Sequence, residues 1–331
     1  MPATYHTTDL SKTSFLITGG AGFIGSNIVQ YLFNNNAGKI RVLDNFSNGL
    51  LKNISQFIGH KNFDFIEGDI RDYETCKKCC EGIDYVSHQA ALGSVPRSIK
   101  DPITTNEVNA NGFLNMILAA KESSVKRFIY ASTSAIYGDH PALPKKEEQT
   151  GNPLSPYAVS KKTNELYAQV FSNTFKIETI GLRYFNVFGP NQSPSGPYAA
   201  VIPLFIQSVI DNKPPFIDGD GEQTRDFTFV DNVVQANIRA LLTTNSEAIN
   251  RVYNVALGER VSINELFNII ARIYKSDIKP VYREKRSGDV RDSLADISAA
   301  KKLLSYNPLI GLDEGLALTI EWFRQSMINS N

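Results

Sequence analysis

Short apolar runs alternate with longer amphipathic segments along the first 190 residues of the chain. The short runs have the length of buried β-strands, and the longer segments repeat their apolar residues with the period of a helix. The predicted strands are Ser14–Thr18, Ile40–Asp44, Phe63–Glu67, Tyr85–His88, Arg127–Ala131 and Glu178–Leu182. The predicted helices are Gly22–Phe33, Asn53–Ile58, Tyr73–Cys80, Asp101–Ser123 and Pro156–Thr174. This alternation predicts a parallel sheet with helices on both faces.

The pattern changes after Gly189, where prolines and glycines mark loops and turns. Further helical patterns follow at Ala200–Asp211, Asp231–Thr243, Ile263–Tyr274 and Gly315–Met327. We therefore expect an α/β fold in which a smaller, interleaved α/β C-terminal lobe covers the edge of a doubly wound parallel sheet. The expected division assigns residues 1–190 and 231–262 to the sheet domain, and residues 191–230 and 263–331 to the second domain.

A glycine-rich turn, Thr18–Gly25, joins the first predicted strand to the first helix. Its glycines satisfy both G-x-G-x-x-G and G-x-x-G-x-x-G. Such glycines allow a tight turn and a close approach to a pyrophosphate, and the amides at the helix start receive the negative charge. Between a strand and a helix, this motif predicts a Rossmann-type dinucleotide site rather than a turn that serves packing alone.

Asp44 ends the second predicted strand, about 20 residues after the glycines. A carboxylate there would accept hydrogen bonds from a ribose 2′-hydroxyl and would repel a 2′-phosphate. No arginine follows in Asn45–Ser47, so the sequence predicts NAD rather than NADP. The expected NAD contacts are Gly19, Gly22, Phe23, Ile24, Gly25, Asp44, Asn45, Ser47, Asp69, Ile70, Ala90, Ala91, Tyr157 and Lys161.

A candidate proton-transfer pair follows the fifth predicted strand, which leads into Ala131–Ser134. Tyr157 and Lys161 are four residues apart on one predicted helix, and this spacing places both side chains on the same face. An ammonium beside the phenol is expected to favour the phenolate, which could take a hydroxyl proton while a nicotinamide accepts the hydride. His88, at the end of the fourth strand, is interpreted as a strand-end histidine near the cofactor rather than as a catalytic acid.

These motifs resemble those of the extended short-chain dehydrogenase/reductase family over essentially the whole chain, and in particular those of its nucleotide-sugar 4-epimerases. The resemblance is strongest to bacterial UDP-N-acetylglucosamine 4-epimerases of surface-polysaccharide (O-antigen) pathways, through residues 93–98 and 198–203. The other matching stretches are Thr18–Gly25, His88–Ala91, Ser132–Gly138, Tyr157–Lys161, Arg183–Gly189, Gly219–Asp231 and Arg286–Asp296.

The resemblance implies a hydride shuttle with tightly held NAD. In it, Tyr157 takes the proton of the 4-hydroxyl, C4 gives a hydride to NAD, and the resulting 4-keto sugar turns over before the hydride returns to its other face. Tyr157, Lys161 and Thr133 are the implied catalytic residues. Thr133 stands where the epimerases usually carry serine, and whether Ser132 or Ser134 shares its role stays open.

The resemblance also implies how the UDP-sugar is held. Arg225 and Arg286 match the diphosphate-binding arginines, Asn186 a further phosphate contact and Asp289 a ribose contact. Ser293 matches a position in the sugar pocket where hexose-only members carry tyrosine, so the chain is expected to accept UDP-N-acetylglucosamine (UDP-GlcNAc) and UDP-N-acetylgalactosamine (UDP-GalNAc). The implied substrate contacts are Gly93, Ser94, Thr133, Ser134, Asn186, Val201, Arg225, Arg286, Asp289 and Ser293.

Other activities of the same family differ at the residues that follow Thr133. Nucleotide-sugar 4,6-dehydratases carry Asp-Glu where this chain has Ser134-Ala135, and UDP-glucuronate decarboxylases usually carry glutamate at the Ala135 position. Both activities are therefore disfavoured, whereas UDP-glucose and UDP-glucuronate 4-epimerases stay open. An inactive NAD- or RNA-binding scaffold is a further alternative, but Tyr157 and Lys161 are both present, and the basic stripe typical of RNA binding is absent.

Charge and cysteine content limit the partners. The 331 residues include 34 basic and 34 acidic side chains, so no overall field attracts the chain to nucleic acid or to an anionic membrane. The pattern Cys76-x-x-Cys79-Cys80 places three thiols on one helix face, and without a second pair at zinc-like spacing we expect buried thiols and no metal. We also expect a cytoplasmic protein and, by resemblance, a homodimer formed through the helices near residues 101–123 and 156–174.

Overall fold

The computed structural model describes residues 4–194, 200–284 and 291–328. Within these ranges, one large sheet and several two-residue or three-residue strands form. The strands are β1 (Ser14–Thr18), β2 (Lys39–Asp44), β3 (Phe63–Glu67), β4 (Tyr85–His88), β5 (Arg127–Thr133), β6 (Glu178–Tyr184), β7 (Val187–Phe188), β8 (Phe216–Asp218), β9 (Thr224–Arg225), β10 (Thr228–Phe229), β11 (Arg251–Val255), β12 (Val261–Ser262) and β13 (Val281–Arg283). The large sheet has the order β11-β6-β5-β4-β1-β2-β3, and all of its pairings are parallel.

Helices cover both faces of this sheet. They are α1 (Phe23–Asn34), α2 (Tyr73–Cys80), α3 (Val95–Lys100), α4 (Pro102–Asn106), α5 (Gly112–Glu122), α6 (Pro156–Phe175), α7 (Val201–Ile210), α8 (Val230–Leu242), α9 (Ile263–Tyr274), α10 (Ser298–Leu304) and α11 (Leu312–Ile328). Side chains of β1 alternate between two buried clusters: Phe15 and Ile17 pack with α1 and α8, whereas Leu16 packs with α2 and α5. The doubly wound Rossmann-type prediction is thus confirmed.

Two predicted helices differ from the structure. The Asn53–Ile58 prediction is wrong in type, because single 3₁₀ turns form at Leu51–Asn53 and Ser55–Phe57. The Asp101–Ser123 prediction covers three pieces, α4, a π-helical turn at Glu107–Asn111 and α5. The π-helical turn carries Asn109, whose side chain accepts from the Leu92 amide at 2.8 Å and donates to the Leu92 carbonyl at 3.1 Å. Local periodicity does not encode this contact, because Leu92 is 17 residues away along the chain.

The C-terminal part contributes a separate apolar cluster built from α7, α9 and α11, in which Phe205, Phe267 and Phe323 are buried. The segment around α10 packs elsewhere: Ala300 and Leu304 belong to the cluster beside the large sheet. The domain boundaries given above remain a prediction. The C-terminal cluster faces the carboxyl ends of β5 and β6 through the short pair β7–β10, which leaves a cleft between the sheet and the lobe.

The three cysteines are buried on α2, as expected. Burial raises the pKa of Cys79 to about 11 and that of Cys80 to about 12, so these thiols stay protonated. In the described ranges, no group of three His, Cys, Asp or Glu side chains could hold a metal ion. Nor does any helix there have the length and apolarity needed to cross a membrane.

Candidate active site

The glycine turn packs too tightly for side chains. Gly19 adopts a φ of +66°, and a Cβ on it would lie 2.8 Å from the amide nitrogen of Ala90. A Cβ on Gly25 would collide with the carbonyl of Gly19, which lets α1 start directly against β1. The N-terminus of α1 consequently opens onto a cavity with its first amides unobstructed.

This first cavity has a volume of about 440 Å³ and lies at the carboxyl ends of the central strands. All the residues that the sequence predicts for NAD contribute to its lining: Gly19, Gly22, Phe23, Ile24, Gly25, Asp44, Asn45, Ser47, Asp69, Ile70, Ala90, Ala91, Tyr157 and Lys161. Sequence reasoning missed Leu50, Asn53, Gln89 and Val108, which also line it. Asn53 is buried and donates to the Ala21 carbonyl at 2.8 Å, so it holds the glycine turn from a segment with no recognisable motif.

Asp44 is held in place by backbone amides. One carboxylate oxygen accepts from the Ala21 amide at 3.0 Å and the other from the Phe46 amide at 2.8 Å. Burial raises the pKa of this carboxyl, although these amides oppose the shift. The result is an oriented acceptor at the end of β2. Beside it, Asn45 donates to Asp69 at 3.0 Å, which ties the ends of β2 and β3 together.

Tyr157 and Lys161 lie on the first turns of α6, whose N-terminus is capped by Ser155. The Lys161 ammonium is buried and donates to the Ala131 carbonyl at 2.9 Å, and burial lowers its pKa to about 8. Burial raises the pKa of the Tyr157 phenol, and a hydrogen bond with Thr133 opposes the rise. The sequence predicts that Lys161 favours the phenolate and so lowers the pKa of Tyr157. In the structure this pKa is raised instead, because desolvation of the phenol dominates.

The three hydroxyls at the end of β5 have different partners. Ser132 donates to Glu165 at 2.7 Å, and Glu165 in turn forms a buried bidentate pair with Arg183 at 2.9 Å. Thr133 lines the first cavity, and its hydroxyl accepts from the Ala135 amide at 3.1 Å. Ser134 lines a second cavity. The hydroxyl of Ser132 is thus committed to the core network, whereas Thr133 lies beside Tyr157.

His88 is fully buried, and its Nδ1 lies 2.9 Å from the Thr18 hydroxyl. Burial, with a smaller contribution from the charge of Lys161, lowers its pKa to about 3. The imidazole is neutral at physiological pH and does not contribute to the cavity lining. This agrees with the strand-end interpretation.

The second cavity, of about 790 Å³, lies between the sheet and the C-terminal lobe. Of the predicted substrate residues, Ser134, Asn186, Val201, Arg225 and Ser293 line it, and Gly93 and Thr133 line the first cavity. Asn186 lines both cavities, so the two adjoin. Ser94 caps α3 by accepting from the Arg97 amide at 3.2 Å. It lies between Gly93, which lines the first cavity, and Val95, which lines the second. Arg286 and Asp289 lie outside the described residues.

Several further residues of the second cavity carry no sequence motif. Phe216 lines this cavity, and the guanidinium of Arg283 lies over its ring, 5.2 Å from the ring centroid. Arg283 also forms an ion pair with Asp218. Lys145 lines the same wall. The pairing of distant loops brings these residues together, so spacing along the chain could not reveal them.

Comparison with known proteins agrees with this geometry. Residues 15–256 match the NAD dependent epimerase/dehydratase family. A UDP-N-acetylglucosamine 4-epimerase of Methanobrevibacter ruminantium, solved with UDP-N-acetylmuramic acid, is 40% identical with a TM-score of 0.90, over 95% of this chain and 99% of that one. A putative UDP-glucose 4-epimerase of Methanocaldococcus jannaschii is 36% identical over 94% of this chain and 98% of its own.

A UDP-glucuronic acid 4-epimerase of Bacillus cereus, solved with UDP-glucuronic acid and NAD, is 32% identical with a TM-score of 0.88, over 94% of this chain and 99% of that one. The glycine turn, the oriented Asp44 carboxylate and the cavity that joins them fit a dinucleotide of this kind. The chain therefore belongs to the NAD-dependent epimerase/dehydratase family, and its cofactor is NAD.

Proposed function

We propose that this chain interconverts UDP-GlcNAc and UDP-GalNAc by inverting C4. The coarser activity, that of a UDP-sugar 4-epimerase, is the one that the three relatives named above share. The observation that carries the finer proposal is Ser293, a small side chain in the wall of the second cavity, where a bulky ring would take up room needed by a 2-acetamido group. The 40% identical Methanobrevibacter ruminantium protein, a UDP-GlcNAc 4-epimerase, supports the same choice.

In this proposal, the catalytic chemistry takes place where the two cavities meet. NAD, when bound, supplies a nicotinamide that can take up a hydride from C4 and give it back. The Tyr157 phenol takes the proton of the 4-hydroxyl and later returns it, and Thr133 hydrogen-bonds the same sugar oxygen. The ammonium of Lys161, fixed by the Ala131 carbonyl, stabilises the phenolate that forms.

The second cavity is proposed to hold the nucleotide while the sugar turns. Arg225 and Asn186 line it and supply donors for the diphosphate, a role for which the planar guanidinium is well suited. The carboxylates in its described lining are already engaged, Asp218 with Arg283 and Asp292 with Thr224 at 2.6 Å. No acid–base pair for an elimination thus stands beside Tyr157 in the described residues, which favours return of the hydride over diversion of the keto sugar.

The test is conversion of UDP-GlcNAc by the purified, NAD-containing protein, followed by proton NMR of the anomeric region. We expect UDP-GalNAc to appear until equilibrium is reached, and the same mixture to form from UDP-GalNAc. A folded protein with bound NAD that converts UDP-glucose but neither acetamido sugar would contradict the finer assignment. A protein that converts no UDP-sugar would contradict the coarser one as well.

A second candidate is UDP-glucuronate 4-epimerase, and Lys145 is the observation that favours it. A carboxylate at C6 requires a cation, and Lys145 is a buried cation in the second cavity. The identity of 32% to the Bacillus cereus enzyme is compatible with this activity. Turnover of UDP-glucuronate by the purified, NAD-containing protein tests this candidate.

We also infer a homodimer. On α6, the face opposite Lys161 exposes Val159, Leu166 and Val170, and Ile99 and Ile103 are exposed on the neighbouring α3 and α4. Apolar side chains that repeat on one face of a long helix favour a helical interface with a second copy.

A further inference from the structure

Lys145 is a buried cation that has no acidic partner among the described residues. Its exposed fraction is 5%, and its ammonium donates to the backbone carbonyl of His140. Within the described residues, no carboxylate lies within ion-pair distance of it. Buried lysines are normally paired, and an ammonium has three N–H donors. The fold therefore leaves donor capacity on this side chain in the wall of the second cavity.

The backbone places Lys145 beside Ala295, two residues along the same segment from Ser293. Lys145 pairs in parallel with Ala295 through hydrogen bonds of 2.7 and 2.9 Å on either side. On the other edge of the same segment, the Ser293 amide donates to the Thr224 carbonyl at 3.1 Å. Side chains two residues apart on an extended segment share a face, so Ser293 and Ala295 lie on the face that Lys145 adjoins.

The two bridges, Thr224 with Asp292 and Lys145 with Ala295, place three chain segments side by side, and each contributes a residue to the cavity lining. Arg225, on β9, comes first, Ser293 on the middle segment second, and Lys145 on the far segment third. With Arg225 on the diphosphate and Ser293 beside the sugar's C2, Lys145 borders the 2-substituent. C2 and C5 lie on opposite sides of the pyranose ring, so Lys145 can contact the 2-substituent or the C6 carboxylate of the second candidate, but not both.

We propose that Lys145 recognises the 2-acetamido group by donating a hydrogen bond to its carbonyl oxygen, an inference that rests on the proposed activity towards UDP-GlcNAc. The amide oxygen gives the buried ammonium an acceptor in addition to the His140 carbonyl. UDP-glucose offers only a 2-hydroxyl, which is shorter and leaves the ammonium without this contact. Burial lowers the pKa of the Lys145 amine, and hydrogen bonds to such a poorly solvated group are stronger than at the surface.

The experiment measures KM and kcat for UDP-GlcNAc, UDP-glucose and UDP-glucuronate in the wild type, in Lys145→Met and in Lys146→Met, whose exposed position makes it the matched control. Methionine keeps the unbranched shape of the side chain, one atom shorter, and removes its charge and donors. We expect KM for UDP-GlcNAc to rise at least about tenfold in Lys145→Met, while kcat for this sugar changes less than about threefold. KM and kcat for UDP-glucose and UDP-glucuronate should also change less than about threefold. Lys146→Met should match the wild type on all three sugars.

Equal losses on UDP-GlcNAc and UDP-glucose, or no loss on either, would overturn the role of Lys145. A loss confined to UDP-glucuronate would also overturn it and would assign Lys145 to a carboxylate. Wild-type turnover of UDP-GlcNAc decides the proposed function independently of these ratios, and its absence rejects both proposals. Thermal unfolding checks each variant; should Lys145→Met fail to fold, Lys145→Gln, which keeps an N–H donor of shorter reach, should show the same selective rise in KM.

Discussion

We expect turnover to depend most directly on Tyr157, because its phenol hydrogen-bonds Thr133 in the first cavity and is the proposed proton acceptor. Tyr157→Phe removes that one oxygen and nothing else. Folding and NAD content should stay as in the wild type, whereas kcat should fall by about 10²–10⁴-fold. Tyr167→Phe on the same helix is the control. A loss below about fivefold in Tyr157→Phe would contradict the assignment of this residue as acid and base.

We propose that Ser293 decides whether the sugar pocket accepts a 2-acetamido group. Ser293→Tyr would place a ring in the second cavity at the proposed position of the 2-acetamido group. Overpacking costs about 1–3 kcal/mol or more, so kcat/KM for UDP-GlcNAc and UDP-GalNAc should fall by about a hundredfold, while UDP-glucose and UDP-galactose are retained. Steady-state kinetics on all four sugars provide the measurement. Parallel losses on both pairs would mean that Ser293 does not discriminate at C2.

At the scale of single elements, the sequence is informative wherever a local rule determines the structure. The glycine turn and Asp44 at the end of β2 could be located because strand, turn and helix follow one another without interruption. Lys145 could not be found, since its position depends on pairing with Ala295, 150 residues away. The direction of the Tyr157 pKa was also missed, because spacing along a helix reports proximity and not the extent of burial.

The end of β4 gives the fold a dependence on pH through His88. This imidazole has a pKa of about 3 in the folded protein against 6.5 when solvated, so it is neutral in both states above pH 6.5. As the pH falls towards 3, the unfolded chain takes up the proton first and stability is lost. At pH 5 the free energy of unfolding is lower by about 2 kcal/mol than at pH 7 through this residue, since one pKa unit corresponds to about 1.36 kcal/mol.

In His88→Asn, the free energy of unfolding should therefore decrease less between pH 7 and pH 5 than in the wild type. Urea titrations at the two pH values measure the difference. His60→Asn, at an exposed position, should keep the wild-type dependence on pH. An identical decrease in His88→Asn and in the wild type would show that the imidazole is not held neutral by burial.

At the scale of the whole molecule, the exposed apolar face of α6 predicts a dimer with twice the 36.7 kDa mass of the chain. Leu166, with 53% of its surface exposed, lies at the middle of that face, and Leu166→Glu would bury a charge in the interface. Sedimentation velocity at micromolar concentration should show a dimer for the wild type and monomer for this variant. Leu318→Glu, on α11 with 45% exposed, should stay dimeric. A monomeric wild type would contradict the inferred interface.

In the proposed reaction, the chain inverts C4 by removing its hydrogen and returning that same hydrogen from bound NAD. Incubating UDP-GlcNAc with the enzyme in deuterium oxide and recording proton NMR tests this directly. We predict that UDP-GalNAc accumulates with protium retained at C4, because the hydrogen does not pass through solvent. Deuterium at C4 of the product would indicate inversion by proton exchange, and either that result or the absence of UDP-GalNAc would contradict this mechanism.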